Sequence, residues 1–319
     1  MPDIFNRILR DPEIVNDPPV LIDIGASEEI HPIWKDIAAA SVCIAFDADT
    51  RDFNISIKED KGYRKLYKLN TIVTDKDENQ TDFYLTESPY CSSTLLPREK
   101  ELADWAFADK FKVTGQTKLN SITLSKALSE LGLNKIDWYK SDSQGTDLRL
   151  FKSLPDPIRN NVLVAEFEPG FIDSYQGEDK LYQVLQYLDG SDFWLSGMLV
   201  KGSKRITPAL LNSITPPGLV RKLTEFSMKT SPGWAELCFI NNFNNITSRR
   251  DFLLGWLFSS FLGQHGFAFG LAEKGNEKFQ DKIFTQLRDY SVAKIKNGRF
   301  TPSAIAVYFG ILKQKLFGV

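Results

Sequence analysis

The chain is poor in the residues that usually build metal and redox centres. Its three cysteines, Cys43, Cys91 and Cys238, lie far apart, so no C-x-x-C pair is present to hold zinc or run dithiol chemistry, and no metal site is expected. His31 and His265 are the only histidines. Residues 1–10 mix Asp3, Asn6, Arg7 and Arg10 among apolar side chains and give no secretory leader, which with the scattered thiols leads us to expect a cytoplasmic protein. Long apolar runs are also scarce. Residues 252–272 are uncharged and aromatic-rich, close to the roughly 20 residues needed to cross a bilayer. Ser259, Ser260, Gln264, His265 and four glycines argue against a span. The expectation is a buried helical hairpin broken at 263–266, with a subunit or membrane-surface contact as the alternative.

What is present is 319 residues with 42% hydrophobic and 25% charged content, enough to bury a large core. The net charge of -2 is unevenly spread. Residues 1–200 carry 22 Lys and Arg against 34 Asp and Glu, whereas residues 201–319 carry 17 against 7. A basic part of this kind either docks on its own acidic neighbour or faces an anionic ligand or membrane surface. The acidic part lacks a basic stripe interleaved with aromatics, so no nucleic-acid partner is expected.

From Pro19 onward, short apolar runs alternate with helical patterns, as expected of βαβ units around a parallel sheet. Val20–Ile24 and Val42–Phe46 read as buried strands, with a helix after Pro32 between them. A third strand is expected within 63–74 and one arm of a hairpin over 81–86. A helix at 125–131 closed by Gly132 precedes a strand at 136–140 that runs into Asp142, and a helix at 146–154 follows. Residues 162–167 form a further strand, 180–188 a helix and 193–200 a last strand. Beyond Pro208 the patterns turn helical, so the expected domains are 1–204, an α/β doubly wound sheet, and 205–319, a mainly helical extension serving as lid, docking or oligomerisation element.

Ligands of open parallel sheets sit beyond the carboxyl ends of the strands, so the loops after Ile24, Phe46 and Lys140 converge on one crevice. Gly25, without a Cβ, lets backbone approach a ligand closely at the first turn. Asp47 follows it by 22 positions, near the roughly 20-residue spacing at which a strand-end acid accepts ribose hydroxyls. A full G-x-G-x-x-G fingerprint is absent.

These residues recur in the order of the FkbM-type methyltransferase family over about residues 18–200. Ile22-Asp-Ile-Gly-Ala-Ser27 resembles that family's cofactor loop and Ala45-Phe-Asp-Ala-Asp49 its acidic strand end. Cys91-Ser-Ser-Thr-Leu95 resembles its Ser-Ser-x-Leu stretch, and residues 121–128 are similar to its Thr-Leu-Asp segment. Ile136-Asp-Trp-Tyr-Lys-Ser-Asp-Ser-Gln-Gly-Thr-Asp-Leu148 resembles its Lys-x-Asp-x-(Gln/Glu)-Gly-x-Glu-Leu signature, and Glu166 and Glu168 follow where the family has its next acidic strand. The resemblance implies a class I methyltransferase (Rossmann-like) fold, S-adenosylmethionine as methyl donor, and a hydroxyl on a sugar, glycan or secondary metabolite as acceptor. It implies that Asp23, Gly25, Ala26 and Ser27 line the methionine part of the cofactor, Asp47 the ribose, and Ser92 or Ser93 the crevice wall. The chain departs from the family where Glu29 replaces a second loop glycine, Ala48 a proline and Ser125 an aspartate.

Methyl transfer from a sulfonium needs collinear acceptor oxygen, methyl carbon and sulfur, and a group to receive the hydroxyl proton. Asp142 is the expected orienting group and second choice as base, with Lys140 two residues earlier expected to lower its pKa. Glu166 and Glu168, spaced by two, are expected to bind acceptor hydroxyls. His31 and His265 are the only imidazole bases on offer, and each has a competing structural role. Two other readings stay open: a different nucleotide-dependent enzyme such as a dehydrogenase, and a catalytically silent binding protein on the same fold. The oligomeric state is left open.

Overall fold

A computed structural model of the protein describes residues 2–26, 30–47 and 62–298. The chain divides into two compact units, Asp17–Asn244 and Met1–Asn16 together with Asn245–Val319.

The larger unit is a mixed α/β fold on a seven-stranded sheet flanked by helices. Its strands are β1 (Val20–Ile24), β2 (Val42–Phe46), β3 (Lys65–Leu69), β7 (Trp138–Ser141), β8 (Val164–Phe167), β9 (Phe193–Ser203) and β10 (Ser231–Asn241). They run in the order β3-β2-β1-β7-β8-β10-β9. The first five are mutually parallel, and β10 enters antiparallel to both β8 and β9. Every residue of β1 and β2 is buried, as their mostly apolar sequences call for in strands covered on both faces, Asp23 being the one charged residue. Ile22, Ile24, Ile44, Phe46, Tyr139 and Phe167 form one face of the core, against Leu124 and Leu128 from the helix Leu124–Glu130 and Phe151 from the helix Asp147–Lys152. Each such side chain contributes roughly 1.5–3 kcal/mol by leaving water.

Three elements differ from the sequence reading. The helix expected after Pro32 is a pair of short 3-10 turns, Pro32–Asp36 and Ala38–Ala40, where Trp34 supplies the fully buried anchor. The stretch expected to hold one strand at 63–74 divides into β3 and the two-residue β4 (Ile72–Val73). β4 joins β5 (Gln80–Thr86) and β6 (Val113–Ile122) in a second small sheet, in which β5 pairs antiparallel with β6 across the intervening residues 87–112, with no tight turn between them. The domain boundary also moves. β10 belongs to the central sheet, so the sheet unit runs past the boundary expected at residue 204, and the helical reading of 205–319 holds only for parts of it.

The second unit is helical, with Asp3–Leu9 and Pro12–Asn16 from one end of the chain and Arg249–Phe261, His265–Phe279 and Lys282–Gly298 from the other. Phe5 packs edge-on against Trp256 at 5.7 Å and Phe261 at 5.2 Å between ring centres, and Arg249 bonds Asp11 at 2.8 Å and Asp281 at 2.7 Å. Gly263, at φ +72, breaks the apolar stretch into the expected hairpin. Among the described residues no helix is long and apolar enough to cross a membrane.

Candidate functional site

Chain order reverses between β1 and β7: from β1 the strands step outward to β3 on one side, then resume with β7 on the other. The loops at that point diverge and leave a crevice at the carboxyl ends of the strands. A cavity of about 470 Å³ opens there, lined by Gly25, Asp47, Ser92, Asp142 and Glu168 among others. Such a volume falls within the roughly 300–1,000 Å³ of sites that enclose small molecules.

Gly25 brings the first and fourth loops together. It sits at φ +84, and a Cβ there would meet the Asp142 carbonyl oxygen at 2.2 Å. Its N–H donates to Phe46 O at 2.9 Å, and the Asp142 N–H donates to Ile24 O at 2.9 Å. Only glycine permits this approach, so its first duty is to let two loop backbones touch.

The loop after β7 is held from inside by Asp147. Its Oδ1 accepts the Ser141 hydroxyl at 2.7 Å, the Ser143 N–H at 2.8 Å and the Ser143 hydroxyl, while Oδ2 accepts the Glu168 N–H at 2.8 Å. One buried carboxylate thereby fixes the ends of both β7 and β8. Burial, then the neighbouring Asp142, push the Asp147 carboxyl up to about 6 despite these donors. Gln144, held at φ +56, donates from Nε2 to Asp142 Oδ1 at 2.6 Å. The Tyr175 hydroxyl lies 2.8 Å from Gln144 Oε1 and 2.9 Å from Cys91 O, both acceptors for its one proton.

Asp142 and Glu168 both line the cavity, where each carboxyl acts on the other. Burial first and Asp142 second raise Glu168 to about 9, and burial also raises Asp142 above the ordinary carboxylate range. Glu168 therefore keeps its proton at neutral pH. This corrects the expectation that Lys140 lowers Asp142. The lysine does pull in that direction, but loss of water around Asp142 outweighs it.

Lys140 itself lies outside the cavity lining. Asp23, Lys140 and Glu166 are in register across β1, β7 and β8, so their side chains share the sheet face opposite Ile24 and Tyr139. Lys140 Nζ donates to Asp23 Oδ1 at 2.6 Å, and Asp23 Oδ2 accepts the His31 N–H at 2.9 Å. Glu166 accepts the Trp138 indole N–H at 2.7 Å and lies 3.0 Å from His31 Nε2. Both oxygens of Asp23 and both of Glu166 are therefore engaged away from the crevice. Burial alone would lower Lys140, yet Asp23, Asp142 and Glu166 around it hold it well above its usual value. Glu166 and Glu168, expected on one face, separate because Glu168 follows the end of β8 and turns into the cavity.

Among the other expected positions, Ala26 is buried outside the cavity lining, and Ser27 and Glu29 lie outside the described residues. Ser92 lines the cavity and its Oγ accepts the Thr86 N–H at 3.2 Å. Ser93 does not line it; its hydroxyl donates to Gln144 O at 2.8 Å and ties the two loops together. Of the two histidines, His31 serves the Glu166 network, and His265 belongs to the helical unit, where burial and then Lys294 lower its pKa.

Sequence reading missed most of one wall. Phe107, Phe111, Tyr175 and Trp234 line the cavity, with Phe107 5.3 Å from Phe111 and 6.3 Å from Trp234 between ring centres, and Phe111 5.6 Å from Tyr175. These come from three separate segments, so no local pattern announces the wall. Glu178, buried and bonded to Lys180 Nζ at 2.7 Å, and Lys110 complete the charged lining. Compared with protein-family models, curated proteins and solved structures, the chain gives no match in any of the three.

Proposed function

We propose that the cavity takes S-adenosylmethionine and that the protein transfers its methyl group to a hydroxyl of a small-molecule or glycan acceptor. The observation that carries this reading is the chemistry of the lining. Among the described residues, Asp47, Asp142, Glu168 and Glu178 line it against one cation, Lys110, beside a wall of aromatic rings. Carboxyls and ring faces favour a compact cation such as a sulfonium. The same lining disfavours the pyrophosphate of a dinucleotide, for which the missing G-x-G-x-x-G also offers no cradle. The strand order, five parallel strands followed by an antiparallel pair, fits the class I methyltransferase fold that the resemblance implies.

In this reading Asp47, at the end of β2, accepts the ribose hydroxyls, and the tight turn at Gly25 borders the methionine part. When bound, the donor supplies an activated methyl carbon. Asp142 orients the acceptor hydroxyl and receives its proton, while Glu168 keeps its own. A proton acceptor so placed is worth about 10²–10⁴-fold. Lys140 acts from the opposite face, holding Asp23 and through it the backbone at His31, which makes it a positioning residue.

Calorimetric titration with S-adenosylmethionine and with NAD tests the reading. Binding of the first without the second is expected; binding of NAD alone, or of neither, rejects it.

A further inference from the structure

From the structure we infer that residues 204–230, inserted between β9 and β10, form a docking element for an anionic lipid surface. The insertion contains two short helices, Pro208–Ile214 and Leu219–Ser227. In the second, Leu219, Val220, Leu223 and Phe226 recur at helical spacing on one face, and no residue of that helix is buried. Phe226 is 91% exposed, Leu219 73% and Leu223 64%. Leu210 and Ile214, one turn apart on the first helix, are exposed as well, while Leu211 is buried and anchors it. Solvent-facing large apolar side chains at this density mark an interaction surface.

Charge decides what covers it. Residues 204–230 carry five Lys and Arg against one acid, Glu225. Lys222 and Lys229 are exposed on and just after the apolar helix. A short helix with a strong apolar face, low net hydrophobicity and flanking cations is the pattern of an element lying in a membrane interface. Two helices of this size also fall short of the roughly 20–30 residues a side in a stable protein interface. The insertion is built to hold its shape without a partner. Arg221 bonds Asn212 Oδ1 at 2.5 Å and Thr215 O at 2.8 Å, joining the helices, and Lys204 Nζ bonds Thr230 Oγ1 at 2.6 Å across the base.

The element also adjoins the cavity. Gly202 and Ser203 line the cavity and lead directly into it, and Lys204 O accepts the Ala106 N–H at 3.0 Å, next to the cavity-lining Phe107. A lipid surface seated there lies beside the cavity wall. The inference stands whether or not the cavity takes S-adenosylmethionine.

The test is co-sedimentation of the full chain with vesicles of phosphatidylcholine alone and of phosphatidylcholine with phosphatidylserine. Binding to the mixed vesicles only, weakening steeply as salt rises from about 0.1 M to about 1 M, is expected. Leu223→Glu with Phe226→Glu should lower the partition coefficient about tenfold or more, with an unchanged melting temperature because both side chains are exposed. Lys222→Glu with Lys229→Glu should lower binding to the mixed vesicles while leaving the fold intact. No binding by the unaltered chain, or equal binding by the variant carrying Leu223→Glu and Phe226→Glu, overturns the inference. So does sedimentation equilibrium showing a dimer that those two substitutions dissociate, since the face would then be a contact between copies.

Discussion

Asp142 and Glu168, just past the ends of two adjacent strands, line one cavity, and burial together with Asp142 holds Glu168 protonated at neutral pH. A carboxyl that holds its proton more tightly folded than unfolded favours the fold while protonated, and that contribution is lost as pH rises from about 4.5 through about 9 for Glu168. Glu168→Gln keeps the neutral, hydrogen-bonding form at every pH. Its melting temperature should exceed that of the unaltered protein at pH 8 to 9, with the gap closing toward pH 5. A gap that does not change with pH would mean that Glu168 does not hold its proton above the ordinary carboxylate range.

Gly25→Ala tests the contact between the first and fourth loops. Its Cβ would meet a backbone oxygen at 2.2 Å in a left-handed conformation, and neither neighbour is a flexible side chain that can yield. Chemical denaturation should show a loss of about 2–4 kcal/mol. A loss below about 1 kcal/mol would show that the loops part easily.

Asp147→Ala removes the carboxylate that joins Ser141, Ser143 and the Glu168 backbone. Buried donors left without an acceptor cost roughly 1–3 kcal/mol each, so a total of about 3 kcal/mol is expected after the loop relaxes. Native-state hydrogen exchange should speed up at Ser143 and Glu168 first. Unchanged exchange at both amides contradicts the assigned role.

Asp47→Ala should weaken S-adenosylmethionine binding by roughly 1.5–3 kcal/mol in calorimetry, the worth of hydrogen bonds to a charged group, without unfolding the protein. Equal affinity would remove Asp47 from the ribose site.

The strands that carry the cavity were legible because they are short, mostly apolar runs ending in glycine or acid, as burial on both faces favours. Gly25, Asp47, Asp142 and Glu168 stand at such ends, and all four line one cavity. The direction in which a side chain leaves its strand was less legible. Period two put Lys140 with Asp142 and Glu166 with Glu168, but β7 stops at Ser141 and β8 at Phe167, and alternation lapses where the strand does. β10 escaped because Pro232 and Gly233 at its start break a strand pattern, whereas the register with β9 shifts there and accommodates them. The aromatic wall had no local signature at all, since Phe107, Tyr175 and Trp234 meet only after the chain has folded.

The helical unit takes its parts from both ends of the described chain, with Phe5 seated on Trp256 and Asp11 on Arg249. During synthesis, helices Asp3–Leu9 and Pro12–Asn16 leave the ribosome long before their partners exist. The sheet unit, contiguous from Asp17 to Asn244, can assemble first. The helical unit thus closes late, and a truncation at Asn244 strands the helices Asp3–Leu9 and Pro12–Asn16 with their apolar faces uncovered.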